Sequence, residues 1–233
     1  LVAALPRLLR VTLPAVGVAG ATPFLLDSSS YARALTAAGG AVQVPSGKYG
    51  SALDNRTIGA SGVSTPDASE LYFGTLAVPF CIEAWVKFNA VGTGVFVSQW
   101  ATSNMAWWMG YSASNTVAFV YSANGSTQGG IVAQPWTPTV GVWYHVCANR
   151  TAGNVCNVYV DGVRLATTPT GFQFFNSTAA LMIGNAVSGL SAFNGYIDEV
   201  RVSKVDRYGA VASFTPPSAA FVSDADTLLL AHF

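Results

Sequence analysis

Four short phrases, in fixed order, constrain this chain more than anything else in it: CIEAWVKF (81–88), VWYHVCANR (142–150), VYVDGVR (158–164) and GYIDEVRVS (195–203). In the first, Ile82, Ala84, Val86 and Phe88 make one apolar face, while Glu83 and Lys87 point the other way. Successive side chains of a strand alternate between faces, so this period of two predicts a half-buried β-strand. The second and third phrases are joined by Thr151-Ala152-Gly153-Asn154, a hairpin-type connection. Asp161-Gly162 makes a second tight turn, since glycine accepts the positive φ that such turns demand. In the fourth phrase the apolar positions step by three and then by two, through Ile197, Val200 and Val202. That irregularity predicts a β-bulge at Asp198-Glu199.

Taken together, these phrases resemble the laminin-G-like domain of the concanavalin-A-like lectin/glucanase superfamily, over roughly residues 24–208. The implied fold is all-β: a two-sheet antiparallel jelly-roll sandwich. Its expected core includes Ile82, Ala84, Val86, Val158, Val160, Ile197, Val200 and Val202. Further strands are expected at 70–74, 94–100, 105–112, 116–122, 130–134 and 181–185, separated by Gly, Pro, Asn and Ser turns. Strand runs this short and this closely spaced fit a sandwich better than βαβ units. TPFLL, at the start, is a shorter first strand than the family usually has.

The predicted organisation is an extended apolar arm over 1–22, the sandwich over 23–208 and an extension over 209–233 that ends in the strand TLLLAHF. The arm has no strand-length alternation, and its prolines and arginines argue against a membrane span. Its Leu5, Leu8, Leu9, Val11 and Leu13 are read as an assembly surface, because an isolated apolar arm has to dock on something. The last strand can complete the edge of its own domain or pair with a neighbour.

Only 9% of the residues are charged and the formal net charge is zero. A nucleic-acid footprint is therefore absent, and so poorly charged a surface predicts association with other protein chains. The three cysteines, Cys81, Cys147 and Cys156, are too few and too odd for a disulfide framework. They are read as thiols, with a Cys147–Cys156 cross-strand bridge left as the alternative, decided by hairpin register.

The superfamily includes glucanases, whose acids lie at alternating positions of one strand. No such motif occurs here, and the adjacent Asp198 and Glu199 are expected to satisfy donors of the bulge and of nearby loops. There is no GxSxG elbow, and His145 resembles a structural histidine of the family's strand. The expectation is no enzyme, no catalytic residue and no resident metal or cofactor. Calcium is the one ion the resemblance raises. Asp54, Asp67, Asp161 and the pair Asp224/Asp226 are the loop acids weighed for it, with Asp161 better explained by its turn.

Recognition chemistry gathers instead in SQWATSNMAWWMGYSASN (98–115). Trp100, Asn104, Trp107, Trp108 and Tyr111, with Trp136 in a later loop, are candidates for sugar stacking or for protein contact. Trp107 and Trp108 are consecutive, so a regular strand sends one ring inward and the other outward. Around Phe214 to Phe233 the sequence FTPP…DTLLLAHF resembles tails that follow laminin-G-like units in phage structural proteins. That resemblance implies a non-enzymatic virion component such as a decoration, spike or tail-associated protein. Its partners would be copies of itself, other virion proteins and cell-surface polysaccharide. The alternative is an extracellular or cell-surface carbohydrate-binding module.

Overall fold

The structure is a computed structural model, and it describes residues 25–56, 61–75, 78–168, 172–186 and 192–233. Arm residues Leu5, Leu8, Leu9, Val11 and Leu13 lie outside them. Two antiparallel sheets face each other. In chain order the strands are β1 (Leu26–Asp27), β2 (Thr36–Ala38), β3 (Val42–Val44), β4 (Ala52–Asp54) and β5 (Gly62–Thr65). The central run is β6 (Phe80–Phe88), β7 (Gly94–Ala101), β8 (Asn104–Tyr111), β9 (Thr116–Tyr121) and β10 (Gly130–Pro135). Then follow β11 (Trp143–Arg150), β12 (Cys156–Val160), β13 (Val163–Thr167), β14 (Leu181–Ile183), β15 (Gly195–Ser203) and β16 (Thr227–His232). Sheet A runs β1-β16-β15-β6-β11-β12-β13, with β4 also on β15 and β3 on β4; sheet B runs β10-β9-β8-β7-β14-β5-β2.

The alternation read in the sequence is the alternation in space. Ile82, Ala84, Val86, Val158, Val160, Ile197, Val200 and Val202 are all buried in the layer between the sheets. Sheet B meets them with Phe96, Trp107, Met109, Phe119 and Ile183. Phe88, Phe96 and Phe193 pack edge to face with centroids 4.9–6.0 Å apart, the arrangement that ring quadrupoles favour. At one end of this core lies a cation. Arg150 is fully buried, and its guanidinium donates to the carbonyls of Phe73, Thr75, Val78 and Phe172. The rings of Phe80 and Phe172 lie 4.9 and 5.1 Å from its Cζ. Burial pushes its pKa down to about 10.

The turns follow the sequence reading. Asp161 and Gly162 both have positive φ, 47° and 73°, as a two-residue type I′ hairpin between β12 and β13 requires. The bulge falls where the apolar step predicted it: the β15–β6 register shifts between Asp198 and Arg201, and Glu199 has φ 53°.

Several expectations are corrected. The segment 70–74 is not a strand. Leu71 N donates to Ala68 O and Tyr72 N to Ser69 O, so a 3-10 turn over Ser69–Leu71 takes the place of ladder bonds. The hairpin register sets Arg150 opposite Cys156 and Cys147 opposite Tyr159. Cys156 therefore faces the core while Cys147 faces outward, which rules out a bridge between them, and all three cysteines are free. Instead, Cys147 Sγ lies 3.5 Å from Cys81 Sγ.

The half-buried reading of β6 also fails, because the outer face of sheet A is roofed. Residues 204–226 form a strap across it before the chain enters β16, which pairs with both β15 and β1. The strap is anchored at many points. Phe214 N donates to Gly162 O at 2.9 Å and Arg164 N to Ala212 O at 3.0 Å. Tyr159 OH reaches Gly209 O and Val211 O, both at 3.1 Å, and Tyr49 OH reaches Pro217 O at 2.8 Å. A Cβ at Gly162 would lie 1.9 Å from Phe214 O, so this glycine is required by contact as well as by φ.

Candidate functional site

The aromatic residues singled out in the sequence mostly hold the fold. Trp107 and Tyr111 lie in the main core. Trp108 is the outward ring, as alternation requires, yet it is only 8% exposed. It packs with Trp100, Val95, Ala118, Val120 and Ala186 in a separate cluster on the outer face of sheet B. Most of its surface is therefore taken up by packing within the domain. Trp136 is half-buried, edge to face with Tyr144 at 4.8 Å, and its carbonyl accepts Tyr111 OH at 2.8 Å. Asn104 clips a loop, donating to Thr178 Oγ1 at 2.9 Å and accepting Thr178 N at 3.1 Å.

The acids weighed for calcium are engaged elsewhere. Asp54 forms a two-point pair with Arg56, at 2.9 and 2.6 Å, and the Arg56 hydrogen bonds hold its carboxyl below the usual range. Asp67 accepts Gln99 Nε2 at 2.8 Å, and burial pushes its pKa up. Asp161 accepts the His145 amide at 2.8 Å, as befits a turn residue. Asp224 pairs with Arg207 at 2.9 Å and accepts Asp226 N at 3.1 Å. Among the described residues no three His, Cys, Asp or Glu side chains come together as a metal site would require.

Asp198 and Glu199 act on backbone donors and a histidine. Asp198 accepts the amides of Tyr49 and Glu199 at 2.9 and 2.8 Å. Glu199 accepts the Phe221 amide, and its other oxygen meets His232 Nδ1 at 2.7 Å. The bulge thus pins the 47–50 loop, the strap and β16 at once.

A buried polar hub beneath the strap escaped the sequence reading. Glu83 is completely buried, with Arg201 Nε and Nη2 at 2.8 and 2.7 Å from Oε1. On Oε2 it has Tyr208 OH at 2.6 Å and His145 Nε2 at 3.0 Å. Burial alone would raise the Glu83 pKa, but His145, Arg201 and Tyr208 together outweigh it and pull it down to about 2. Tyr208 in turn stacks on Phe214 with centroids 3.7 Å apart. With Glu83 and His145 fully buried, this hub fastens the strap to the sheet. The available signal was the recurrence of Tyr208, Phe214 and Phe221 in a tail with few other large rings.

The outer face of sheet A opens at its other end. Register sets Trp143 opposite Lys87, Lys87 opposite Tyr196 and Tyr196 opposite Asp54, a row across β11, β6, β15 and β4. Directly opposed residues share a face. Trp143, Lys87 and Tyr196 are each partly exposed. Lys87 Nζ lies between the two rings, 4.9 Å from the Trp143 centroid and 4.4 Å from that of Tyr196. Arg56 Cζ lies 4.8 Å from the Tyr196 centroid. One strand repeat inward, Lys48 Nζ sits 3.9 Å over the Trp85 ring. Two half-open rings separated by a hydrogen-bond donor form a shallow platform suited to holding a ligand ring by stacking and polar contact.

The family model of the concanavalin A-like lectin/glucanase superfamily, in its laminin-G form, matches residues 57–207, and the chain belongs to that superfamily. Among solved structures it is similar to the botulinum neurotoxin serotype G binding domain, with a TM-score of 0.61 and 10% identity over 78% of this chain and 45% of that one. It is also similar to the binding domain of botulinum neurotoxin DC in complex with SialylT (TM-score 0.58, 12% identity, 78% and 45% covered). A third likeness is to the binding domain of botulinum neurotoxin DC in complex with rat synaptotagmin II (TM-score 0.59, 10% identity, 78% and 48% covered). The chain spans less than half the length of these domains, and at such identities the likeness is one of fold. No curated protein matches the chain.

Proposed function

We propose that this chain is a non-catalytic recognition domain that holds carbohydrate on the Trp143–Lys87–Tyr196 row. The observation that carries the reading is the pair of part-exposed rings on one face with an ammonium between them. Aromatic faces stack on the apolar faces of sugar rings, while the intervening donor reaches hydroxyls. The acids support a binding rather than a hydrolytic role. Glycoside hydrolysis needs two carboxyls flanking an open cleft, about 5–9.5 Å apart. Glu83 is buried under the strap, and Asp198 and Glu199 are occupied by amides and His232. The domains similar in fold include one in complex with SialylT and one in complex with rat synaptotagmin II.

The test is retention on immobilised polysaccharides, with product release followed in parallel. Retention that disappears in Trp143→Ala and Tyr196→Ala, persists in Trp108→Ala and yields no cleaved sugar is the expected result. Reproducible cleavage, or retention indifferent to both row variants, overturns it.

A second reading places this module in a virion, as a decoration, spike or tail-associated component assembled with copies of itself. It is supported by the FTPP…DTLLLAHF tail and by a chain only 9% charged. Self-association is its first requirement. A strictly monomeric chain in light scattering at high concentration, together with absence from purified particles by immunolabelling, overturns it.

A further inference from the structure

We infer that the row selects anionic glycan, a chain of sugar rings bearing carboxylate or sulfate groups; this rests on the carbohydrate reading above and adds the charge class of the ligand. The chain contains three lysines, Lys48, Lys87 and Lys204. Two of them stand over aromatic rings on this one face, Lys87 on Trp143 and Tyr196, and Lys48 on Trp85 and Tyr49. Among the described residues no carboxylate lies within ion-pair distance of either ammonium.

The neighbouring charged groups are engaged with other partners, although Asp198 keeps its own charge. Arg56 is neutralised by two contacts to Asp54, so that pair adds no net charge to the row. Asp198, opposite Trp85, turns its carboxylate to the amides of Tyr49 and Glu199, and Glu199 turns to Phe221 and His232. The platform therefore sets two ammonium groups, neither held in a direct ion pair, beside stacking surface. A neutral sugar would use the rings and leave both ammonium groups to water. A ring carrying an anionic substituent would use both, since a charge-assisted hydrogen bond is about twice as strong as a neutral one. The rings pre-position the ammonium groups by cation–π attraction, which lowers the entropy lost on binding.

The experiment titrates the whole chain with two matched pairs of probes: oligogalacturonate against its methyl ester, and dextran sulfate against dextran. Thermal melts confirm that each variant is folded. The expected result is at least about tenfold tighter binding of one charged probe than of its neutral match, the responding pair telling carboxylate from sulfate. That preference should collapse near 0.5 M salt, where the Debye length falls to roughly 4 Å. Lys87→Gln should remove most of the preference and leave neutral binding in place, Lys48→Gln should weaken it further, and Trp143→Ala should weaken charged and neutral probes alike. Equal binding of charged and neutral probes that is lost in Trp143→Ala overturns the charge selectivity and leaves the carbohydrate reading standing. Binding of none of the four probes overturns both. A charged-probe preference unchanged in Lys87→Gln and Lys48→Gln overturns the site, as does poly-glutamate binding that matches the glycans and ignores Trp143→Ala.

Discussion

Glu83 and Tyr208 are separated by 125 positions and meet at 2.6 Å, the tyrosine hydroxyl donating to a carboxylate that no water reaches. This bond joins the strap to the middle of sheet A. Tyr208→Phe keeps the ring on Phe214 and removes only the donor. A hydrogen bond to a charged group contributes about 1.5–3 kcal/mol, and urea unfolding should register a loss of that size. Glu83→Ala, which strands Arg201, should cost more, about 3–5 kcal/mol. An unchanged midpoint in Tyr208→Phe would show that the hub does not hold the strap.

Gly162→Ala should loosen the strap from its other anchor. The left-handed backbone costs a non-glycine residue about 1–2 kcal/mol, and the new methyl would press on Phe214 O. The expected outcome is a lower melting temperature together with new protease cuts between residues 208 and 220. A variant as resistant as the parent would refute the coupling.

Stability should peak at mildly acidic pH. Asp198 is pushed up to about 6, chiefly by burial and further by Glu199, against amide donors that hold it down. The native state therefore holds this proton more tightly than the unfolded chain does. Its contribution is full below the unfolded value of about 3.9 and is lost as pH rises through about 6. His232, raised first by its Glu199 hydrogen bond, acts in the same sense: its contribution is full below about 6.5 and fades as pH rises through its own higher value. Glu83, lowered to about 2, acts oppositely, stabilising above about 4.3 and losing its contribution as pH falls toward 2. Urea midpoints should be higher near pH 5.5 than near pH 8, and Asp198→Asn should flatten that slope. A midpoint rising steadily from pH 5.5 to 8 would contradict this.

The thiols should be silent until the chain unfolds. Cys81, Cys147 and Cys156 are fully buried, and burial pushes all three pKa values up, away from the reactive thiolate. A thiol reagent should label none of them in the native chain and all three in denaturant. Fast labelling of Cys147 in the native chain would mean that the strap opens readily.

The two consecutive tryptophans should part company on truncation. Trp107→Ala opens a hole among Phe73, Phe119 and their neighbours, and should cost about 3–5 kcal/mol. Trp108→Ala empties the smaller cluster on the outer face of sheet B and should cost less. Equal losses in denaturant unfolding would place both rings in equally demanding surroundings.

Alternation alone told which side chains of β6 turn away from the core, and the bulge at Asp198-Glu199 followed from one irregular step. What meets the far side of a strand is not a local property. Glu83 and Lys87 read alike in CIEAWVKF, yet the first is sealed under residues 204–226 and the second lies open beyond them. The row itself was equally hidden. Trp143, Lys87 and Tyr196 stand in three separate phrases, and each looks like an ordinary outward residue until register aligns them. The tryptophan-rich stretch drew attention by composition, but sandwich cores use large rings for volume, and Trp107 is spent on that.

The placement of β16 between β15 and β1 has a bearing on biosynthesis. Leu26 and Asp27 pair with His232 and Ala231, so one of the earliest strands waits for residues made more than two hundred positions later. While a ribosome is still extending the chain, sheet A has an open lane beside β15, and Glu83 and Arg201 face water. Closing a contact of such long span is slow, and the vacant lane is a template that a neighbouring nascent chain could fill. Translation speed through the codons for residues 204–233, and crowding on the message, therefore become determinants of how much correctly threaded protein accumulates.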